Sequence, residues 1–285
     1  ARYAAMEEYF DRSGPDGRIM MCGTASVQIN LDAGRPGDGP GSVPHRWAVA
    51  HAIGPVLVAA FANSPHHAGR ATGWKSTRQA VWSRLDRSRC GPVGGTDPRA
   101  SWARYALDAQ VMCVRGDDPW QVPAGLTFRD WLAGAGTRPA AADDLDYHLS
   151  TLFPPVRPRR WLELRMVDAQ PGEDGWVVPL AVAVGLIEDE TAADRALDAT
   201  RASGPEHPGP WLRAARDGLA DPELRVAASA CFGAALGGLG RLGAPPEVVA
   251  EVEQFAERYV ARGRCPADDH LAPVACEPTV LEVLR

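Results

Sequence analysis

Glu163 and Arg165 stand two residues apart in Trp161-Leu-Glu-Leu-Arg-Met-Val-Asp168. At the two-residue period of an extended strand, Leu162, Leu164 and Met166 take one face, and Glu163 and Arg165 share the other with Trp161 and Val167. A carboxylate and a guanidinium placed this way have two readings. One is an exposed ion pair, which is common and contributes little. The other is a rigidly held pair that takes a metal ion and a phosphate, and it needs a second polar-faced strand to oppose it.

Residues 19–32 supply that second pattern. Ile19, Met21, Gly23, Ala25, Val27, Ile29 and Leu31 occupy the odd positions, and Thr24, Ser26, Gln28, Asn30 and Asp32 the even ones, after Met20 and Cys22. This predicts one long strand with an apolar back and a hydrogen-bonding front. A merely solvated front would be expected to carry Lys, Glu and Arg, whereas this one is short and neutral as far as Asp32. Two such strands make a sheet that packs helices on one side and lines a site on the other. Amide and carboxylate oxygens suit a hard ion such as Mg²⁺. Arg165 could neutralise a transferring phosphoryl group, with Arg78, Arg157, Arg159 and Arg160 available for a carboxylate or triphosphate. From the residues alone the chemistry is that of a Mg-nucleotide or phosphate enzyme, with surface ion pairing as the bland alternative.

Several other features point nowhere in particular. Lys75-Ser76 lacks the glycine that a phosphate-binding P-loop places before its lysine, and Gly91-Pro-Val-Gly-Gly95 follows no strand. His45 and His51 near a helix start are expected to be packed or solvated. The spacing of Cys265, His270 and Cys276 fits no standard zinc site.

With 285 residues, the chain can bury a sizeable core. A net charge of −6 gives no basic footprint for nucleic acid or an anionic membrane. No apolar run is long enough to span a bilayer. Six cysteines without C-x-x-C spacing suggest a reducing cytoplasm, with Cys22 a buried, inert thiol. Lys75 is the single lysine among 30 basic residues, a skew in keeping with a GC-rich coding sequence.

The elements that must position these residues follow from breakers and periodicity. Helices are expected over residues 2–11, 44–62 with a break at Gly54-Pro55, 76–82 onward with Ser76 or Thr77 as cap, 99–108, 127–133 capped by Thr127, and 141–153. Gln110–Arg115 suggests a short strand. Five further helices fill residues 176–262, the glycine-rich 233–243 segment being the weakest. The fold class is α+β: residues 1–175 form a sheet-based catalytic region, and residues 176–285 a helical region packed on the sheet's apolar side.

Five blocks in order then resemble the plant-type glutamate–cysteine ligases: Met20–Asp32, Phe61-Ala-Asn-Ser-Pro65, Ser76-Thr-Arg78 with Trp82, His148-Leu-Ser-Thr-Leu-Phe-Pro-Pro-Val-Arg157, and the Leu-Glu-Leu-Arg strand. The match runs from near Tyr3 to about Glu190. Over His148–Gln170 it is most similar to the actinobacterial ligases of ergothioneine synthesis. The resemblance implies a glutamine-synthetase-like curved antiparallel sheet. It also implies an ATP- and Mg²⁺-dependent reaction in which the γ-carboxylate of L-glutamate is phosphorylated and then attacked by the amine of L-cysteine. It makes Glu163 and Gln28 metal ligands, and Arg165 and Arg78 catalytic contacts to anionic groups. Gln28, Thr24, Asn30, Ser64 and His148 become substrate-binding residues. Those ligases begin with a Glu-x-Glu strand, whereas the early acids here, Glu7 and Glu8, are adjacent in a helical pattern. Two alternatives therefore stay open: another amino-acid acceptor, and a non-catalytic binding protein on the same scaffold.

Overall fold

The structure is a computed structural model that describes residues 1–116, 120, 122–201 and 208–271. Its centre is an antiparallel sheet of three strands, β1 (Ser26–Asp32), β4 (Val156–Pro158) and β5 (Trp161–Asp168), in the order β1-β5-β4. Strands β2 (His66–His67) and β3 (Arg70–Ala71) form a separate small hairpin. On β1, Ile29 and Leu31 are buried while Gln28, Asn30 and Asp32 are exposed, as alternation requires.

The apolar back of the sheet carries the helices. Ile29, Leu31, Leu162, Leu164 and Val167 join one core with Val56 and Leu57 of helix Gly54–Ala60, Val182 and Leu186 of helix Val177–Ile187, and Phe232 of helix Pro222–Leu242. The expected break stands between helices Val43–Ala52 and Gly54–Ala60. The described residues from Val177 to Leu271 are mostly helical, and helices Val177–Ile187 and Pro222–Leu242 share the core behind the sheet. The glycine-rich stretch is a continuous 21-residue helix that ends on a left-handed Gly243.

Three expectations are corrected. The predicted strand from residue 19 is shorter: Asp16–Gly23 is a helix, and extended structure begins only at Thr24. Alternating apolar residues in so short a run fit either period, and here packing decides. Asp16 complements the helix N-terminus, Met20 packs with Met6 and Phe10, and Gly17 sits so close to Phe10 that a β-carbon there would lie 2.1 Å from Phe10 Cβ. Cys22 is consequently exposed on this helix rather than a buried strand thiol. Gln110–Arg115 is no strand; Gln110 makes one isolated bridge to Thr127.

The third correction concerns facing. Val27 pairs with Val167 but Ile29 pairs with Leu164, so two β5 residues, Arg165 and Met166, oppose the single Gln28. This bulge resets the alternation. Val167 joins the core at 0% exposure instead of sharing the face of Glu163, and Asp168 pairs with Ser26 at the end of the strand.

Candidate active site

The solvent-side face of the sheet gathers arginines on one carboxylate. Glu163, 5% exposed, accepts two hydrogen bonds at 2.9 Å from Arg157 Nε and Nη2, and a third at 2.5 Å from Arg165 Nη1. Arg159 Nε stands 3.9 Å away. Strand geometry explains the assembly: Arg157 pairs with Glu163 across β4–β5, and Arg165 is its neighbour on the same face of β5. Asn30 lies opposite Glu163 on β1, and Gln28 Oε1 is 3.4 Å from Arg165 Nη1. Burial pushes the Glu163 carboxyl up, but the bonds from Arg157 and the charge of Arg165 together hold it below the usual range. Burial lowers both guanidinium values, and for Arg157 the Arg165 charge adds to it. Three guanidiniums around one carboxylate leave two positive charges in excess on this face. An anionic substrate group would neutralise them.

A second network lies where β4 stops pairing and the edge of β5 is bare. Arg78 Nη2 donates to the Arg165 carbonyl at 2.6 Å, and Gln79 Nε2 donates to the Met166 carbonyl at 2.7 Å. Both side chains come from the first turn of helix Thr77–Arg84, whose N-cap Ser76 accepts from Gln79 N at 3.1 Å. Asp168, 2% exposed, accepts from Ser64 Oγ at 2.7 Å, Ser76 Oγ at 2.9 Å and Asn63 N at 3.0 Å, and stands 3.6 Å from Arg78 Nη1. Ser64 Oγ in turn accepts from Arg78 N at 3.1 Å. Burial lowers the Arg78 value, and Asp168 partly restores it.

Among the residues singled out from sequence, Glu163, Arg165 and Gln28 come together, with Asn30 beside them. Arg78 is buried on the β5 main chain, so it braces Arg165 rather than presenting its fork to the polar face. Ser64 is engaged by Asp168 and Arg78 rather than turned to a substrate. Thr24 does not stand on the strand front: its hydroxyl donates to the Met20 carbonyl at 2.9 Å and closes the preceding helix. His148 belongs to neither network. It is 3% exposed, stacks on Phe128 at 4.8 Å and donates from Nε2 to the Ala106 carbonyl at 2.8 Å. Its value is pushed down to about 4, first by burial, so it is neutral at pH 7. The role of Asp168 is not legible in the sequence, because the bulge that orients it leaves no mark on the alternation; the one signal is an acid closing a strand of buried residues.

Magnesium does not fit these residues as they stand. Both Glu163 oxygens are taken by guanidinium donors, and Gln28 adds one amide oxygen. No group of three or more His, Cys, Asp or Glu side chains among the described residues is arranged to hold a metal. Cys265 and His270 turn to Asp268 and Asn63, and Cys276 lies outside the described residues. Lys75 pairs with Asp268. Among the described residues no helix is long and apolar enough to cross a membrane.

A family model described as glutamate-cysteine ligase family 2 (GCS2) matches residues 1–279. Glutamate–cysteine ligase EgtA of Mycolicibacterium smegmatis is 47% identical over 280 residues, covering 94% of this chain and 62% of the relative. The protein of that name from Mycobacterium tuberculosis H37Rv is 44% identical, over 94% of this chain and 61% of the relative. The chloroplastic glutamate–cysteine ligase of Medicago truncatula is 34% identical over 208 residues, 70% of this chain and 40% of its own length. The chain thus spans about three fifths of the length of its mycobacterial relatives.

Proposed function

This chain belongs to the glutamate–cysteine ligase family 2, and from that premise we propose that it takes part in ATP-dependent joining of L-glutamate to L-cysteine. The product is γ-glutamylcysteine, serving ergothioneine or another low-molecular-weight thiol. The observation that carries this reading is the guanidinium excess of Arg157, Arg159 and Arg165 around the buried Glu163. ATP, the glutamate carboxylates and the acyl phosphate are all anions.

In the first step an oxygen of the glutamate γ-carboxylate attacks the terminal phosphorus of ATP, and the bond to the bridging oxygen breaks to release ADP. In the second, the cysteine amine attacks the acyl carbon. The carbon–oxygen bond to phosphate breaks, inorganic phosphate leaves with the electron pair, and the nitrogen sheds its surplus proton to solvent. The protein's part is positioning and charge stabilisation. Arg165 is the arginine best placed for an anionic group, because three of its five donors are not used by Glu163 and Gln28. Glu163 fixes its direction from the same face of β5.

The test is ADP release by the purified protein with Mg-ATP and glutamate, with and without cysteine. Release should require both amino acids, and Arg165→Ala should lower the rate about 10²–10³-fold, the usual cost of removing one charge-stabilising donor. Release that other amines support as well as cysteine would sink the acceptor assignment. Nucleotide binding without turnover would favour the non-catalytic reading.

A further inference from the structure

We propose that the pocket between the glycine loop 91–95 and one face of helix Pro98–Asp108 binds a phosphoryl group, as free phosphate or as a small phosphate monoester, away from the reacting centre. The pocket holds about 350 Å³, at the small end of the roughly 300–1,000 Å³ of ligand sites. None of Gln28, Asn30, Glu163 and Arg165 lines it, so its occupation is independent of the ligation proposed above.

Helical spacing builds one wall. Ser101, Arg104, Tyr105 and Asp108 stand at i, i+3, i+4 and i+7 of helix Pro98–Asp108, so one face of that helix carries all four. Arg87 is supplied by the short helix Arg87–Cys90, which leads straight into the loop. The loop reaches Ser101 because it is built of glycine there. Gly95 has φ +105°, and a β-carbon on it would lie 2.4 Å from Ser101 Oγ.

Charge decides the class of ligand. Arg87 and Arg104 are exposed, and neither guanidinium has an ion pair or a hydrogen bond among the described residues. The neighbouring acids are already engaged: Asp108 bonds Arg129 at 2.6 Å, and Asp86 accepts from Tyr9, Ser88 and Arg89. Two positive charges are left over at the pocket. A phosphoryl group carries about −1.5 to −2 charges at pH 7 and at least three acceptor oxygens, enough for two guanidinium forks, whereas a carboxylate carries one charge and suits one fork. Ser101 adds an independent observation. It lines the pocket at 4% exposure, yet its hydroxyl has no hydrogen-bond partner among the described residues. Buried hydroxyls are normally paired, and an anion in the pocket would accept this one.

The experiment is calorimetric titration of the purified protein, without nucleotide, with inorganic phosphate, glycerol 3-phosphate and acetate. Phosphate should bind at a saturable site, and acetate about tenfold or more weakly, since it meets one guanidinium instead of two. Arg87→Ala, Arg104→Ala and Ser101→Ala should each weaken phosphate about tenfold or more, the usual effect of losing a hydrogen bond to a charged group. Both arginines are exposed, so replacing them leaves the core intact. Arg165→Ala removes the best-placed anion contact of the polar face and should leave this binding within about twofold, as independent sites do. A ligand that is a phosphorylated metabolite will show glycerol 3-phosphate binding tighter than phosphate, and a free-phosphate site the reverse. The absence of saturable binding by either phosphoryl probe would overturn the site. So would binding that survives both arginine variants, which would place the anion on the polar face, and this outcome is decided even if Arg165→Ala does not fold. Acetate bound as tightly as phosphate would overturn the phosphoryl assignment.

Discussion

Arg78 holds the main chain of Arg165: its Nη2 lies 2.6 Å from the Arg165 carbonyl, at the bulge where β5 faces Gln28. A bulge breaks the ladder and leaves main-chain oxygens without strand partners, and a buried guanidinium supplies the missing donors. The position of the Arg165 side chain thus depends on a residue that does not face the polar surface.

Replacing Arg78 by Met should therefore release the Arg165 carbonyl and also unbalance Asp168. It leaves Asp168 buried without its cation and should destabilise the fold by about 3–5 kcal/mol, the range for breaking one side of a buried pair. Asp168→Asn removes the partner charge, so the double variant should recover part of that loss, with a coupling of about 0.5–3 kcal/mol. Denaturant unfolding of the four proteins checks this. Strict additivity would mean that the 3.6 Å pair does not act as a unit.

Glycines in helix Pro222–Leu242 should respond in opposite directions. A β-carbon on Gly238 would lie 2.4 Å from the Gly185 carbonyl oxygen, whereas one on Gly233 would meet nothing within 4 Å. Gly238→Ala should cost about 1–3 kcal/mol by forcing two helices apart. Gly233→Ala should stabilise by about 0.5–1 kcal/mol, because it relieves an entropic cost in a helix interior. Midpoints of thermal unfolding would separate the two, and a Gly238→Ala protein as stable as the parent would refute the close crossing.

This pair also shows what the sequence could reveal. Glycine content makes residues 233–243 the weakest of the expected helices, since propensity is local, whereas Gly238 is there to let Gly185 approach from another helix. The same asymmetry runs through the site. Leu162, Glu163, Leu164 and Arg165 were placed on their correct faces by alternation, because that stretch of β5 is regular. Val167 was not, because the bulge after Leu164 shifts parity and arises from pairing with a strand far away in sequence. Ile19–Gly23 alternate like a strand yet fold as a helix on Phe10, a tertiary contact that no window of residues contains. The contact of Arg157 with Glu163 was hidden for a similar reason: it depends on the register of β4.

His148 should tune stability and leave substrate affinity alone. Its folded-state value is lowered to about 4 from 6.5, chiefly by burial. Above pH 6.5 the imidazole is neutral in both states. As pH falls from 6.5 towards 4, the unfolded chain takes up a proton that the folded chain refuses, so stability is lost across that window. The slope is at most roughly 1.4 kcal/mol per pH unit for one proton. His148→Gln keeps a donor for the Ala106 carbonyl and cannot titrate, so its stability curve should be flatter there. KM values for both amino acids should stay within about twofold; a large rise in either would restore His148 to the binding site.

Glu163→Gln separates the carboxylate's charge from its shape. At neutral pH the variant leaves Arg157 and Arg165 facing each other across a neutral amide, and should lose about 3–5 kcal/mol of stability. The sign of the pH effect follows from the lowered Glu163 value. The charge stabilises the fold fully above the ordinary carboxylate value of 4.5, and the contribution drains as pH falls through the lower folded value. The parent and variant curves should therefore converge in acid and differ most above pH 5. Activity should fall with kcat more than KM, by about 10²-fold, since a guanidinium displaced by about 1 Å costs that much. Near-normal turnover by a stably folded Glu163→Gln protein would show that Arg165 does not depend on the carboxylate for its direction. The anion site would then have to rest on Arg78 and the β5 bulge alone.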